Sequence, residues 1–316
     1  PCALLAFQQS AGQELDLDFC RGHAIPVQRR VTGGPATYVD ERHLVWELYV
    51  HRREVGTADL RSMAKRICHA AATALSALGI DARYRARSDV EVDGRTLATG
   101  GMSVDGDAIL FQGTLPIDGD VAHAFSTLRT PWSASDSAAE AEARKRAVSL
   151  RDALGRHVDV ARVKHNLAEA FESEFDVEFR DGDLGLSEQA RCDAAIRQID
   201  SADWIGHIAR PKTDAPMLEG RHQAAAGLLR AVLKYERQTQ TIKQVWFAGE
   251  AAADPRRLFC DLEAALRDIP AERVAQRLEW FFASRPADAC GFVTGDFASV
   301  LLQAAPRPKF AARSGR

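Results

Sequence analysis

Residues 29–40 read RRVTGGPATYVD, and this stretch is the most informative in the chain. Two arginines and a threonine precede the pair Gly33-Gly34, and the run His43–His51 that follows alternates as a β-strand does. Paired glycines let the backbone approach a ligand closely, and neighbouring arginines suit an anionic group. A glycine pair before a strand is also typical of a plain turn. The stretch therefore predicts a turn with the chemistry to bind an anion.

The composition is that of an ordinary globular protein. A length of 316 residues suggests about two domains. The net charge of −3 gives no basic footprint, so no nucleic-acid partner is expected. No apolar run approaches the roughly 18–20 residues of a membrane span and no signal peptide opens the chain, so no membrane partner is expected. The six cysteines form no Cys-x-x-Cys pair, which favours a reduced, cytoplasmic location.

Hydrophobic periodicity predicts the elements of the first half. Apolar residues recur at helical spacing from Leu60 to Leu78, after a capping Thr57. Short strands are expected at 90–92 and 108–111, each beside an Asp-Gly turn. A polar helix is expected at the end of 133–146, and an amphipathic helix from Val160 closes the first domain near residue 180.

The second half predicts a separate, smaller domain. Residues 181–222 have weak periodicity and are expected to form a connecting segment with one short helix around 192–199. Two strands follow, at 229–235 and 242–247. Two helices come next, one starting at Asp254-Pro255 and carrying Leu258 to Leu266, the other carrying Val274 to Phe281. This order predicts a first domain over 1–180, a small α+β accessory domain over 223–305 and a tail over 306–316.

Several stretches together resemble the lipoate–protein ligase family. RRVTGGPATYVD is similar to the family motif R-R-x-[ST]-G-G-G-A-x-Y-H-D. DGRTL at 93–97 resembles D-G-[KR]-K-I, QGTLPID at 112–118 resembles H-G-T-L-L-I-[ND], and SLRDALG at 149–155 resembles S-L-x-x-x-L-G. The segments 227–250 and 261–266 look like the family's accessory domain. The resemblance covers roughly residues 1–303 in the family's order.

The resemblance implies a fold and a reaction. The fold class is α+β, a biotin/lipoate-ligase-like mixed sheet with helices on one face, plus the small C-terminal α+β domain. The family activates lipoate or a related acyl carboxylate with ATP to an acyl-adenylate, and passes the acyl group to a lysine of a lipoyl carrier domain. Mg²⁺ would bridge the phosphates, while the histidines of this chain lack metal-ligand spacing, so no protein metal site is expected.

The resemblance also assigns candidate site residues. Arg30 would contact phosphate, and the apolar strand beside the glycine loop would form an acyl tunnel. The full set expected around ATP or the acyl-adenylate is Arg30, Gly33, Gly34, Pro35, Ala36, Thr37, Tyr38, Asp89, Gly113 and Thr114.

The chain departs from the family pattern at its catalytic position. Thr96 stands where the family has a lysine that contacts both acyl carbonyl and phosphate. Arg95 is adjacent, but successive residues of a strand point to opposite faces. Pro35 replaces the third glycine and removes a backbone N–H. Thr96 and Arg95 are the catalytic candidates. The chain also starts inside the family's second strand, so either an N-terminal piece is missing or a separate polypeptide supplies it.

Three functions stay open from the sequence. The first is an ATP-dependent lipoate ligase, slow with Thr96 and faster if a lysine is restored. The second is an ATP-independent octanoyl or lipoyl transferase, although residues 83–93 lack the cysteine that many of these enzymes carry before D-G-[KR]-K. The third is a non-catalytic homologue that binds an acyl ligand or a carrier protein.

Overall fold

The computed structural model describes residues 1–55, 60–85, 88–131, 137–206, 216–249, 256–283 and 292–305. The chain divides into two compact units, Pro1–Lys212 and Thr213–Arg316. The expected limits at residues 180, 222 and 305 remain predictions, and the expected tail lies outside the described residues.

The first unit begins with a small three-stranded sheet. Its elements are β1 (Cys2–Leu5), α1 (Ala11–Glu14), α2 (Leu17–Gly22), β2 (Val27–Arg29) and β3 (Thr37–Val39). The central strand β1 pairs parallel with β2 and antiparallel with β3. Buried apolar residues from the strands and helices of this segment form a hydrophobic core that belongs to the small sheet.

A larger five-stranded sheet follows. Its elements are β4 (His43–His51), α3 (Leu60–Ser76), β5 (Ala82–Arg85), β6 (Asp89–Val92), β7 (Arg95–Asp105) and β8 (Ala108–Pro116). The strand order is β4-β8-β7-β6-β5, and every neighbouring pair is antiparallel. The predicted combination of parallel and antiparallel strands is therefore found in the small three-stranded sheet and not in the five-stranded sheet.

Helices complete the first unit. They are α4 (Val121–Ser126), α5 (Ser137–Arg146), α6 (Leu150–Leu154), α7 (Val160–Phe175), α8 (Leu186–Ile199) and α9 (Ala202–Ile205). The helix predicted for the connecting segment is α8, which is longer than predicted, and a second helix, α9, follows it. The expected cap Thr57 and the residues 132–136 lie outside the described part of the chain.

One face of the five-stranded sheet is covered by α3 and α7, as expected. The apolar stripe of α3 and Val163, Leu167 and Phe171 of α7 are buried against it. Capping fixes the ends of these helices. Asp159 accepts hydrogen bonds from the N–H groups of Ala161 and Arg162, which satisfies two free donors at the start of α7. We call this covered side the helix face and the other side the open face.

The second unit is a four-stranded antiparallel sheet with helices. Its elements are β9 (Met217–Ala224), β10 (Gly227–Glu236), β11 (Thr241–Gly249), α10 (Arg256–Ala265), β12 (Ile269–Pro270), α11 (Val274–Ala283) and α12 (Thr294–Ala304). The α+β organisation agrees with the sequence, but β9, β12 and α12 were not predicted. The expected Asp254-Pro255 helix start lies outside the described residues. No helix in the described ranges is long and apolar enough to cross a membrane.

Candidate functional site

The open face of the five-stranded sheet carries polar side chains along its middle strands. Thr99 of β7 pairs with Thr114 of β8 and with Asp89 of β6, so the three residues lie side by side on one face. Gln112 continues this row opposite Gly101. Its amide donates to Glu47 Oε1 at 2.7 Å. The strand register therefore brings together two predicted site residues, Asp89 and Thr114.

The glycine loop lies directly on strand β7. The N–H of Gly33 donates to the carbonyl of Met102 at 2.8 Å. A Cβ on Gly101 would come within 2.0 Å of the Gly33 carbonyl oxygen. Gly34 has a φ of +100°, and a Cβ there would lie 2.8 Å from the Gly100 carbonyl oxygen. Only glycines allow this contact between loop and strand.

The Arg30 side chain stabilises the conformation of the glycine loop through hydrogen bonds. Its Nη2 donates to the carbonyls of Gly33 at 2.8 Å and Pro35 at 2.6 Å, and its Nε donates to Thr32 Oγ1 at 2.9 Å. Burial lowers the pKa of the guanidinium to about 10, so it stays charged at neutral pH. A contact between Arg30 and phosphate remains a prediction, and it would have to compete with these carbonyls.

The residues after Pro35 run into the small sheet. Thr37 and Tyr38 belong to β3 and pair with β1. Tyr38 is buried in the core of that sheet, and Ala36 packs against the same core. The side chains of Ala36 and Tyr38 therefore contribute to packing. The nucleotide contact expected of residues 35–38 stays a prediction.

Asp40 fixes the turn between the glycine loop and β4. Its side chain is only 3% exposed and accepts hydrogen bonds from the backbone N–H of Arg42 at 2.9 Å, from Arg42 Nε at 3.0 Å and from His43 Nδ1 at 2.8 Å. Burial alone would raise the pKa of this carboxyl, but the hydrogen bonds from Arg42 and His43 outweigh burial and hold the pKa well below its usual range.

Gly113 is on the helix face, unlike its neighbour Thr114. A Cβ on Gly113 would come within 2.1 Å of the Trp46 ring, so this glycine makes room for the indole. One set of alternating residues of β4 also points to this face and packs against the core, namely Leu44, Trp46, Leu48 and Val50. A cavity of about 10 Å³ beside Trp46 and Cys68 is large enough for roughly one water. The strand expected to form an acyl tunnel thus packs against a filled core.

The two catalytic candidates lie on opposite faces of β7. Arg95 pairs with Val92, a core residue of the helix face, whereas Thr96 pairs with Glu91 on the open face. A β-bulge follows Thr96, where Leu97 is the extra residue, so it does not turn Arg95 toward Thr96. The structure therefore does not bring these two side chains together.

A buried arginine that the sequence analysis missed contacts Thr96. Arg85 Nη1 donates to Thr96 Oγ1 at 3.1 Å, and its Nη2 donates to the Gly94 carbonyl at 2.9 Å and lies 3.5 Å from Glu91 Oε2. Glu91 in turn accepts a hydrogen bond from the Gly94 N–H at 2.7 Å. The alternation of polar residues along β5 was the available signal, since it places Arg85 opposite Asp89 on the open face.

No cluster of three His, Cys, Asp or Glu side chains that could hold a metal ion occurs among the described residues. Mg²⁺ bound with a nucleotide needs only one or two carboxylates besides phosphate oxygens and water. Asp89 is a carboxylate of this kind on the open face, and its role as a ligand stays a prediction.

Three of the four cysteines of the first unit are poor candidates for thiolate chemistry. Burial raises the pKa of Cys2, Cys20 and Cys68. A raised pKa reduces the thiolate fraction at neutral pH, and the thiolate is the nucleophilic form. Cys68 also belongs to the buried core of the helix face.

Comparison with known proteins agrees with this geometry. Residues 1–172 match the model of the lipoyl protein ligase A/B catalytic domain. An octanoyltransferase LipM of Moorella thermoacetica is 25% identical over 224 residues, which is 65% of this chain and 82% of that protein. The lipoate–protein ligase LplJ of Bacillus subtilis is 25% identical over 154 residues, 49% of this chain and 45% of that protein.

Solved structures show the same fold. A bipartite lipoate–protein ligase from Thermoplasma acidophilum, solved in a study of its lipoylation system, has a TM-score of 0.58 at 21% identity and covers 67% of this chain and 83% of its own. A lipoate–protein ligase A bound with ATP has a TM-score of 0.57 at 20% identity, over 65% of this chain and 82% of its own. The chain belongs to the lipoate–protein ligase and octanoyltransferase family, an enzyme family of protein lipoylation.

Proposed function

We propose that this protein is an ATP-dependent acyl ligase that activates lipoate or a related fatty carboxylate and transfers it to a lysine of a lipoyl carrier domain. The observation that carries this proposal is the glycine loop seated on β7, where Gly33 and Gly34 contact Gly100, Gly101 and Met102. This contact brings the loop backbone and the Arg30 side chain that supports it beside the polar row of the open face, which supports a phosphate site there.

The reaction has two balanced steps. In the first, a carboxylate oxygen attacks the α-phosphorus of ATP, the bond to pyrophosphate breaks, and acyl-adenylate and pyrophosphate form. In the second, the carrier lysine amine attacks the acyl carbonyl carbon, the bond to AMP oxygen breaks, and the amine loses a proton to solvent as the amide forms. Both steps develop negative charge on oxygen, which preorganised donors stabilise.

Three of the four cysteines of the first unit favour adenylation over a thiol-based route. A transferase that carries its acyl group on cysteine needs a reactive thiolate, yet burial raises the pKa of Cys2, Cys20 and Cys68. ATP activation needs no cysteine. The related ligase structure bound with ATP supports the same choice.

A second candidate function is acyl transfer from carrier to carrier without ATP. Two octanoyltransferases LipM, from Moorella thermoacetica and Kyrpidia tusciae, each match 65% of this chain at 25% identity. The acyl group would then move from one carrier's thioester to the lysine of a lipoyl domain, with release of the first carrier's thiol.

One assay separates the two candidates. The protein is incubated with a lipoyl carrier domain and either octanoate, ATP and Mg²⁺ or octanoyl-acyl carrier protein alone, while pyrophosphate and the carrier mass are followed. We expect pyrophosphate release and an acylated carrier only with ATP. Acylation from the octanoyl carrier without pyrophosphate would support the transferase, and no acylation in either arm would reject both enzymes.

A matched pair of variants links the activity to the open face. Thr114→Val removes a hydroxyl from the polar row at nearly constant shape and should slow the reaction. Thr73→Val makes the same change on the exposed side of α3, where Thr73 Oγ1 donates to the His69 carbonyl, and should leave the rate unchanged.

A further inference from the structure

The Thr96 hydroxyl is held by Arg85 in one orientation. Its oxygen accepts a hydrogen bond from the Arg85 guanidinium at 3.1 Å. A threonine hydroxyl has one O–H to donate besides the lone pairs that accept. Among the described residues, the Thr96 hydroxyl donates no recorded hydrogen bond of its own. Its proton is therefore available to an acceptor atom of a ligand.

Arg85 is itself fixed and nearly inaccessible. Its side chain is 3% exposed and that of Glu91 2%, and the pair is 3.5 Å apart. The same guanidinium donates to the Gly94 carbonyl, and Glu91 accepts a hydrogen bond from the Gly94 N–H. Arg85 and Glu91 therefore stabilise the turn between β6 and β7. Arg85 is thus too buried to reach a ligand directly, but Thr96 is only half-buried.

Thr96 shares the open face with the polar row. Glu91 pairs with Thr96, and two residues earlier on β6 Asp89 pairs with Thr99. At about 3.3 Å per residue, Thr96 lies roughly 13 Å along β7 from Gly100, where the glycine loop is seated. An elongated ligand such as an acyl-adenylate can extend along the strand between these two points.

We propose, on the basis of the proposed function, that Thr96 donates its hydroxyl proton to an oxygen of the acyl-adenylate and that buried Arg85 is the positioning residue that orients and polarises this hydroxyl. A hydroxyl whose oxygen accepts from a charged donor is itself a stronger donor, because linked hydrogen bonds polarise one another. Charge stabilisation that the family resemblance assigns to a lysine is here divided between a half-buried hydroxyl and a buried guanidinium.

This arrangement changes the expected effect of restoring a lysine. An ammonium group introduced by Thr96→Lys would be placed beside the Arg85 guanidinium, and like charges at that distance repel. Thr96→Lys alone should therefore not raise activity. The double variant Arg85→Met, Thr96→Lys removes the repelling charge and should recover the rate lost by Arg85→Met.

The test compares Thr96→Val, Thr96→Ser and Arg85→Lys in the ATP-dependent assay. Thr96→Val removes the donor and should lower kcat on the order of 10²-fold, with KM for ATP and carrier little changed. Thr96→Ser keeps the hydroxyl and should remain within a few-fold. Arg85→Lys keeps a cationic donor beside Thr96 and should retain most of kcat. If Arg85 served only to hold the turn through its several guanidinium hydrogen bonds, Arg85→Lys would lose those bonds and kcat would fall. Urea unfolding of each variant checks that it folds.

A binding measurement keeps the test decisive if turnover is slow. Octanoyl-sulfamoyl adenosine, a stable mimic of the acyl-adenylate, is titrated calorimetrically into the native chain and Thr96→Val. At least tenfold weaker binding by Thr96→Val supports the proposal. Equal kcat and equal binding in folded Thr96→Val would overturn it while leaving the ligase function intact. No turnover and no binding of the mimic by the native chain would overturn both.

Discussion

Arg29 and Trp204 hold each other by reciprocal hydrogen bonds. The Arg29 Nε donates to the Trp204 carbonyl at 3.1 Å, and the indole Nε1 donates back to the Arg29 carbonyl at 2.9 Å. Arg29 is 1% exposed, and its guanidinium also donates to carbonyls of residues 6, 7, 9 and 205. Helix α9 is thereby attached to β2, next to the start of the glycine loop. The first arginine of the motif has a structural role.

We expect Trp204→Phe to lower the free energy of unfolding by about 1–2 kcal/mol. The ring contact with Phe7 can persist, while the Arg29 carbonyl loses a donor in a buried place. Urea unfolding followed by circular dichroism measures the change. Trp280→Phe is the matched control because Trp280 is 62% exposed, and it should change stability by less than about 0.5 kcal/mol. Equal effects of the two substitutions would contradict this role of the Arg29–Trp204 pair.

Gly101→Ala should displace the glycine loop from β7. The new methyl group would lie 2.0 Å from the Gly33 carbonyl oxygen, a backbone atom that cannot rotate away. We expect a loss of about 1–3 kcal/mol of stability together with weaker nucleotide binding. Gly12→Ala, in α1 with open space around its Cβ position, should be neutral or slightly stabilising. Calorimetric ATP binding by Gly101→Ala at native affinity would show that the loop position does not matter for the ligand.

Arg30→Ala should weaken binding of ATP or the acyl-adenylate mimic by about 1.5–3 kcal/mol, the size of a charge-assisted hydrogen bond. The effect can come from a lost phosphate contact or from loss of the bonds to the Gly33 and Pro35 carbonyls. Calorimetry gives the affinity. Arg83→Ala is the control, because Arg83 of β5 is exposed and pairs with Asp81. This substitution should leave the affinity unchanged. Native affinity in Arg30→Ala would remove Arg30 from the site.

Local sequence patterns predicted those parts of the first unit that depend on neighbours along the chain. The alternation over His43–His51 is the observed strand β4, and the apolar period after Leu60 is the observed helix α3. The glycine pair was singled out because glycines let the backbone approach a ligand closely, whereas the close approach that the structure shows is to strand β7. In the second unit, β9 was missed because its sequence, MLEGRHQA, is mostly polar, so the alternating burial of its residues leaves no apolar pattern in the sequence.

The network around Thr96 could not be predicted in this way. Arg85, Glu91 and Thr96 are six and five residues apart, and they meet only after three strands have paired with a bulge in the register. The strand alternation correctly separated Arg95 from Thr96. It could not reveal which buried cation would lie beside the threonine, because that depends on strand register rather than on local sequence.

The last prediction concerns acid stability and Asp40. Because hydrogen bonds from Arg42 and His43 hold the carboxyl pKa below its ordinary value despite burial, the folded protein binds this proton more weakly than the unfolded chain does. The stability that Asp40 contributes is therefore fully present above the ordinary pKa of 3.8 and is lost as the pH falls through the lower, folded-state pKa. Native stability should decline in this acid range.

Asp40→Asn removes that contribution. We expect it to lower the free energy of unfolding at neutral pH by about 2 kcal/mol, because hydrogen bonds to a charged, buried group are lost. It should also flatten the decline of stability between about pH 5 and about pH 2. Urea unfolding at a series of pH values measures both effects. Asp18→Asn is the control, since Asp18 is 92% exposed and pairs only with Arg21 among the described residues. If the acid slope of Asp40→Asn equals that of the native chain, another carboxyl is responsible for the decline.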